Sequence, residues 1–190
     1  MSEYQIIKHC APTLAGLKAG SLIRVKTTKS DDCNACISII SKKLNSKGIY
    51  LLPLVTFNDS VLLYIFRPSS LSQILSNSSI LCILKQLNYD VSSISGLLKS
   101  LKKRLELYVG NDDFPHEIGF FLGYPYEDVI SFLENKGKNY LFSGQWKVYH
   151  DVCSAKRLFC KHEKCTNIYC KCYNAGISLE RLAVSSKHFM

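Results

Sequence analysis

The sequence has few of the features that assign a protein to a class at once. Its 190 residues include one tryptophan, two methionines and five prolines. No apolar run approaches the ~18–20 residues that cross a bilayer. The first residues lack the basic start and small-residue cleavage site of a secretory signal peptide. We therefore expect a cytoplasmic protein with no membrane partner.

Two catalytic motifs are also missing. His116-Glu117 begins the zincin pattern H-E-x-x-H, but Phe120 stands where the second histidine is required. The phosphate-binding loop pattern G-x-x-x-x-G-K-[ST] does not occur. Without a recognisable set of nucleophile, base and orienting group, a binding protein is favoured over an enzyme, although the sequence leaves the question open.

Length and charge are those of a basic globular protein. Hydrophobic residues make up 47% and charged residues 21% of the chain, which is ordinary for a soluble domain. A chain of this length forms one core, so a single domain over residues 1–190 is expected. The net charge of +9 favours an anionic partner. Nucleic-acid binding would require the basic residues of 99–104 and 156–171 on one face.

Nine cysteines are present, and an odd number without an export signal indicates reduced thiols. Cys33-x-x-Cys36 has the spacing of a thioredoxin-type pair at a helix start, where the macrodipole favours a thiolate. Two incidental thiols are the alternative. His162 and Cys165 share a helix face and, with Cys170, are candidate metal ligands. Ordinary thiols on a helix are the competing interpretation.

Hydrophobic periodicity predicts an α+β protein with a small mixed β-sheet of about four strands, including a central hairpin, covered by several helices. The predicted strands are residues 22–26, 49–57, 61–67 and 145–150. Residues 49–57 and 61–67 form the hairpin, because both are rich in β-branched and aromatic residues. Pro53 should lie at a sheet edge or a bulge. Pro12 should divide the first helical segment into two short helices.

Residues 111–150 differ from the rest of the chain, since aromatic, glycine, proline and charged residues alternate there at short spacing. His116 and Glu117 could act as a general base and its orienting partner. The alternative is a surface histidine and a carboxylate in a first helical turn. The lysines and aromatic residues of 135–147 could hold a phosphate or stack a base, or could form only a helix cap and a strand start.

Four segments carry a family resemblance: FPHEIGFFLGYPYEDVISFLENKGKNYLFSGQWKVY at 114–149, HCAPTLAGLK at 9–18, YIFRP at 64–68 and KCTNIYCKCY at 164–173. They resemble an uncharacterised family of anaerobic Firmicutes catalogued as domain of unknown function 3793. The resemblance implies a single-domain cytoplasmic bacterial protein and assigns no activity. An association with iron- and flavodoxin-linked gene neighbourhoods would fit metal, haem or redox physiology. The family pattern includes Cys165 and Cys170 but not Cys33 and Cys36.

Together the residues and the resemblance predict one pocket, formed by the N-terminal segment and residues 111–150. The predicted ligand-binding residues are His9, Cys10, Thr13, Lys18, Tyr124, Lys138, Trp146 and Lys147. The predicted function is a non-enzymatic binding or accessory protein for an anionic small molecule, a metal-containing cofactor or a protein partner. One alternative is an enzyme in which His116 and Glu117 act on an anionic substrate. A nucleic-acid-binding protein is the other.

Overall fold

The structure of the chain is a computed structural model that describes residues 2–26, 33–108 and 114–185, and of Cys33 it describes the backbone alone. These residues divide into two compact units. Unit 1 comprises Met1–Leu71 with Lys164–Met190, and unit 2 comprises Ser72–Glu163. Organisation as a single domain stays a prediction.

Helices dominate both units. In the described residues the helices are α1 (Glu3–Leu14), α2 (Cys33–Asn45), α3 (Pro68–Leu75), α4 (Ser78–Gln86), α5 (Ile94–Tyr108), α6 (Ile118–Leu122), α7 (Tyr126–Asn135), α8 (Val152–Asn174) and α9 (Leu179–Leu182). The strands are β1 (Gly20–Lys26), β2 (Tyr50–Thr56), β3 (Ser60–Phe66), β4 (Phe142–Ser143) and β5 (Lys147–Val148). The α+β class is confirmed. None of the described helices is long and apolar enough to span a bilayer.

The sheet of unit 1 is built on the predicted hairpin, which is confirmed as β2 and β3. Its strand order is β1-β3-β2, and β1 and β2 both pair antiparallel with β3. The sheet is therefore antiparallel rather than mixed. Strand β2 lies at an edge, and its register shifts between Pro53 and Val55. Both features follow from a proline that cannot donate a ladder hydrogen bond.

Helix α1 packs on this sheet and begins at a capping box, in which Ser2 and Gln5 satisfy each other's backbone N–H groups. The predicted division of this segment at Pro12 was wrong, because α1 continues through it to Leu14. Pro12 has no N–H to donate to the Lys8 carbonyl, so this turn lacks one helical hydrogen bond. The burial of residues 10–14 keeps the segment helical nevertheless. The Pro12 carbonyl accepts hydrogen bonds from the N–H groups of Leu17 and Lys18 as the chain turns towards β1.

The core of unit 1 joins α1, the sheet, α2 and the C-terminal residues. Its buried members are Ile6, Ile7, Cys10, Leu14, Ile23, Val25, Ile37, Ile40, Leu44, Ile49, Leu63, Ile65, Leu179 and Ala183. A buried arginine ties the same parts together. The Arg67 guanidinium donates to the carbonyls of Thr13 at 2.6 Å, Leu14 at 2.7 Å and Val184 at 2.6 Å. It thereby satisfies carbonyls that the end of α1 leaves without helical partners.

In unit 2 a short hairpin, β4 with β5, stands between α7 and α8. The strand predicted over residues 145–150 is shorter, since only Lys147–Val148 pairs with β4. Glycine is required at position 144, because a Cβ there would lie 2.1 Å from the Phe159 ring. The hairpin can therefore contact α8 closely. Asp151 precedes the first residue of α8 and caps it: its Oδ1 accepts from the Ser154 backbone N–H at 2.9 Å.

Candidate ligand-binding cleft

A cleft of about 310 Å³ opens in unit 2 beside the starts of α7 and α8. It is lined by Pro125, Glu127, Asp128, Trp146, His150, Asp151, Ser154, Ala155 and Leu158. Its volume lies at the lower end of the range typical of small-molecule sites. Of the predicted ligand-binding residues, only Trp146 lines it directly.

The Trp146 indole forms a wall of the cleft, and Asp128 holds it in position. The indole Nε1 donates to Asp128 Oδ2 at 2.7 Å. The other carboxylate oxygen, Oδ1, accepts from the Tyr149 backbone N–H at 2.8 Å. Since the Asp128 side chain is buried, these hydrogen bonds to a charged acceptor are shielded from water and relatively strong. One carboxylate of α7 thus fixes both the indole and the chain that follows it.

Aromatic rings support the indole. Trp146 stacks on Tyr124 with centroids 4.7 Å apart and meets Phe159 edge-on at 4.5 Å. Burial raises the pKa of Tyr124 to about 12, so its phenol is neutral at physiological pH. The structure therefore brings together two of the predicted ligand-binding residues, Tyr124 and Trp146. Tyr124 supports the Trp146 ring and does not itself line the cleft.

The rim of the cleft is polar. His150 Nε2 lies 3.0 Å from the Ser131 hydroxyl oxygen. The pKa of Asp151 is lowered, mainly by the hydrogen bond from the Ser154 backbone N–H, so the carboxylate is ionised at neutral pH. Glu127 is exposed in the first turn of α7. None of the nine described lining residues is a lysine or an arginine.

Lys138 and Lys147 are not among the lining residues. Lys138 is exposed, and the Lys147 ammonium lies 3.7 Å from the centroid of the Tyr140 ring. The backbone N–H groups of Gly137 and Lys138 donate to the carbonyls of Phe132 and Asn135, both at 3.0 Å. These two amides are occupied by the helix end, which removes them from any cradle for a phosphate.

His116 and Glu117 point in different directions. The Glu117 side chain is buried and accepts hydrogen bonds from the Tyr89 hydroxyl at 2.8 Å and from Arg104 Nε at 2.5 Å. His116 is exposed, with its ring 4.5 Å from that of Phe132. Glu117 therefore has a structural ion pair as its main interaction. A catalytic role for the two residues stays a prediction.

The N-terminal candidates belong to unit 1. Cys10 is fully buried, and burial raises the pKa of its thiol to about 12 despite a hydrogen bond with Ser21 and the charge of Lys18. The Thr13 hydroxyl lies 2.8 Å from that of Ser21, and both are buried. Burial lowers the pKa of Lys18, whereas His9 is exposed. Three of the four predicted residues therefore lie around one internal polar cluster.

These N-terminal residues and the cleft fall in different units. A single pocket shared by the two segments stays a prediction.

Comparison with known families gives one match. The model of a family described as Protein of unknown function (DUF3793) matches residues 6–183. The chain belongs to the DUF3793 family. No curated protein and no solved structure matches this DUF3793 chain. The family resemblance expected from the four sequence segments is confirmed.

The candidate metal ligands of this DUF3793 protein lie along α8. His162 is buried, and its Nδ1 is 2.9 Å from the side-chain oxygen of Gln145. Cys165 is buried, which raises its thiol pKa, and Cys170 packs against the core of unit 1. Among the residues that the structure describes, no three His, Cys, Asp or Glu side chains are placed to hold a metal ion. Metal binding by these three residues stays a prediction.

Of the Cys33-x-x-Cys36 pair, the structure describes the side chain of Cys36. Cys36 is partly buried in the first turn of α2, but the Cys33 side chain lies outside the described residues. A redox role for the pair stays a prediction.

Sequence analysis did not single out five polar residues that line the cleft: Glu127, Asp128, His150, Asp151 and Ser154. The sequence does contain local patterns that predict the starts of the two helices beside the cleft, α7 and α8. Asp151-x-x-Ser154 has the pattern of an N-cap, and an acidic pair follows Pro125 as in a first helical turn. Each pattern predicts a helix start. Neither shows that both starts meet beside the indole.

Proposed function

We propose that this DUF3793 chain is a non-enzymatic binding protein whose small-molecule ligand enters the cleft beside Trp146. The observation that carries this proposal is an indole wall held rigid before any ligand arrives. Its orientation is set by Asp128 and its plane by Tyr124. A ligand that meets a preformed aromatic wall does not have to offset the entropy of ordering it.

The geometry gives less support to the enzyme alternative. Acid–base chemistry by Glu117 would require its carboxylate to leave Arg104 and Tyr89, and the buried charge would then lose its partners. The His116 ring is turned to the surface against Phe132. A base that is already an ion-pair partner is poorly placed to accept a proton from a substrate.

The nucleic-acid alternative is also less well supported, because part of the basic surface that it requires is paired with carboxylates. In the basic run 99–104, Arg104 pairs with Glu117, and the Lys102 ammonium lies 3.9 Å from the Glu106 carboxylate. Charges neutralised within the protein release few counterions on binding a phosphate backbone. A cytoplasmic location fits the free thiols of the eight cysteines whose side chains are described. The link to iron or redox physiology rests on the family resemblance alone.

Trp146 supplies the test, because it is the only tryptophan and its emission reports on the cleft directly. We would titrate the protein with small organic cations, neutral compounds and anions, and follow both emission and thermal unfolding. Ligands that bind the cleft should change the emission and raise the midpoint of unfolding.

A cleft-filling variant locates the binding. Ala155→Phe places a ring inside the cleft and should abolish the response, with Leu158→Phe as a second filling variant. Cys153→Phe is the matched control, since Cys153 is exposed on the same helix and does not line the cleft. Equal responses of the wild type and both filling variants would contradict the proposal. So would a wild type that responds to no compound in any of the three classes.

A further inference from the structure

We infer that the ligand of this cleft is an organic cation: an amine attached to an apolar, preferably aromatic, body. This inference rests on the proposed binding function and specifies the chemical class of the ligand. It is opposite in sign to the anionic ligand that the overall charge of the chain favours. The local charges and surfaces of the cleft carry the argument.

The cleft is acidic although the chain is basic. The net charge is +9, yet three carboxylates, those of Glu127, Asp128 and Asp151, are among the described lining residues, without a lysine or an arginine. A cation, Arg157, stands beside the cleft: its Nη2 lies 3.3 Å from the Ser154 hydroxyl, and its charge also acts on Asp151.

The positive contributions do not outweigh the carboxylates. The starts of α7 and α8 each contribute roughly half a positive charge. With Arg157 counted in full, roughly two positive charges face three negative ones, so the cleft keeps a net charge of about −1. Because potentials are strengthened between low-dielectric walls, an anion is disfavoured there and a cation is favoured.

The three carboxylates have different roles. Both oxygens of Asp128 are already hydrogen-bonded, so this residue contributes charge without a direct contact to the ligand. Oδ1 of Asp151 caps α8. Glu127 is exposed at the rim, where its side chain can reach an ammonium group at the mouth of the cleft. The expected contact is therefore an amine near Glu127 and Asp151.

The remaining surface suits an apolar body. Pro125, Ala155 and Leu158 contribute hydrocarbon, and Trp146 contributes part of its indole ring. An indole is the side chain that attracts cations most strongly through its π-system. The volume of about 310 Å³ holds on the order of ten groups of the size of a water molecule, at about 30 Å³ for each. An arylalkylamine with a two-carbon linker has this size.

Three probes of similar shape and different charge test the inference: 2-phenylethylamine, 2-phenylethanol and phenylacetate. Each is titrated into the full-length protein while Trp146 emission is followed, and calorimetry provides an independent dissociation constant. We expect the amine to bind about tenfold more tightly than the alcohol, and phenylacetate to bind more weakly than either. Added salt should weaken binding of the amine and leave that of the alcohol unchanged.

Matched charge variants identify the carboxylates. Glu127→Gln should weaken binding of the amine by about three- to tenfold and leave the dissociation constant of the alcohol unchanged. Glu134→Gln is the control, because Glu134 is exposed on the same helix and does not line the cleft. Asp151→Asn removes a charge but keeps a good N-cap residue, so it should act like Glu127→Gln without unfolding α8.

The outcomes separate this inference from the proposed function. If phenylacetate binds as tightly as the amine, or if all three probes bind alike and Glu127→Gln changes nothing, the cation inference is wrong and the binding function stands. The same conclusion follows if the probes fail while anions from the wider titration bind and the Ala155→Phe variant loses them. If no compound of any class binds, both are wrong.

Discussion

The indole Nε1 of Trp146 lies 2.7 Å from Oδ2 of Asp128, and this contact joins the β4–β5 hairpin to the first turn of α7. The same carboxylate accepts from the backbone N–H that follows β5, at Tyr149. Asp128 therefore fixes the orientation of the indole and the start of the chain that follows it. Substitutions at Asp128 should affect stability and fluorescence together.

Asp128→Ala should lower the free energy of unfolding by about 2–3 kcal/mol, because it removes the acceptor of two donors that are shielded from water. Asp128→Asn should cost about 1 kcal/mol, since the amide oxygen still accepts one bond. Urea denaturation measures both values, and the emission of Trp146 should shift to the red in the alanine variant. Glu134→Ala on the same helix should change stability by less than about 0.5 kcal/mol. Similar losses at the two positions would contradict the role of Asp128.

Substituting Arg104 should lower the free energy of unfolding more than substituting its ion-pair partner Glu117. The Glu117 side chain is 3% exposed and that of Arg104 is 35% exposed. Arg104→Met leaves a buried carboxylate that, among the described side chains, keeps the Tyr89 hydroxyl as its donor, at a cost of about 3 kcal/mol. Glu117→Gln leaves a guanidinium that can turn to water, at a cost of about 1–2 kcal/mol.

Urea denaturation of both variants and of the double variant tests this asymmetry. The double variant should lose less than the sum of the two single losses, because the residues interact directly. Additive losses, or a larger loss for Glu117→Gln, would show that the pair does not stabilise unit 2 in this way.

Cys10 should make the protein less stable at high pH. Its thiol pKa rises from 9.0 to about 12 on folding. Below about pH 9 both states hold the proton, and the contribution to stability is intact; above it the unfolded state releases the proton first. Wild type should therefore lose about 1.4 kcal/mol per pH unit between pH 9 and 12 relative to Cys10→Ala. Paired urea titrations at pH 8, 9 and 10 measure the difference.

Alkylation gives a second measure of the same burial. Iodoacetamide at neutral pH should label the exposed Cys82, Cys153 and Cys160 and leave Cys10 unmodified until the protein unfolds. Peptide mass spectrometry identifies the labelled positions. Rapid labelling of Cys10 in the native protein would be inconsistent with a neutral, buried thiol.

Tyr149→Phe should stabilise the protein by about 1 kcal/mol. The Tyr149 hydroxyl is buried with no hydrogen-bond partner among the described residues, and removing an unsatisfied polar group removes its desolvation cost. Tyr124→Phe is the contrasting variant, because the Tyr124 hydroxyl donates to the Gln145 carbonyl at 3.5 Å. It should be neutral or slightly destabilising. Thermal unfolding of both variants shows whether removal of the two hydroxyls has opposite effects on stability.

Local patterns in the sequence were sufficient to predict the elements that are stabilised mainly by residues close together in the chain. The β2–β3 hairpin and the bulge at Pro53 depend on neighbouring residues and a short turn, and both are confirmed. Pro12 was misjudged because a proline removes one helical hydrogen bond without necessarily ending the helix, and α1 continues to Leu14. Residues 10–14 are all buried, and tertiary packing of this kind overrides a local preference.

The candidate site was harder to predict because its contacts are distant in sequence. Residues 111–150 were predicted to hold the site, and one of the predicted ligand-binding residues, Trp146, lines the cleft. The adjacency of His116 and Glu117 did not reveal the partners of Glu117, which are Arg104 and Tyr89, 13 and 28 residues earlier in the chain. Sequence spacing shows which side chains share a helix face, but not which helices meet.

The Arg67 hydrogen bond to Val184 has a consequence for biosynthesis. Unit 1 is discontinuous and takes its core residues Leu179 and Ala183 from the end of the chain, whereas unit 2 is one continuous segment. A chain that emerges from the ribosome N-terminus first can complete unit 2 during translation. The first 71 residues must wait for the last ones, and meanwhile α1 and the three-stranded sheet expose apolar surface. We expect the nascent chain to be most prone to aggregation during this interval.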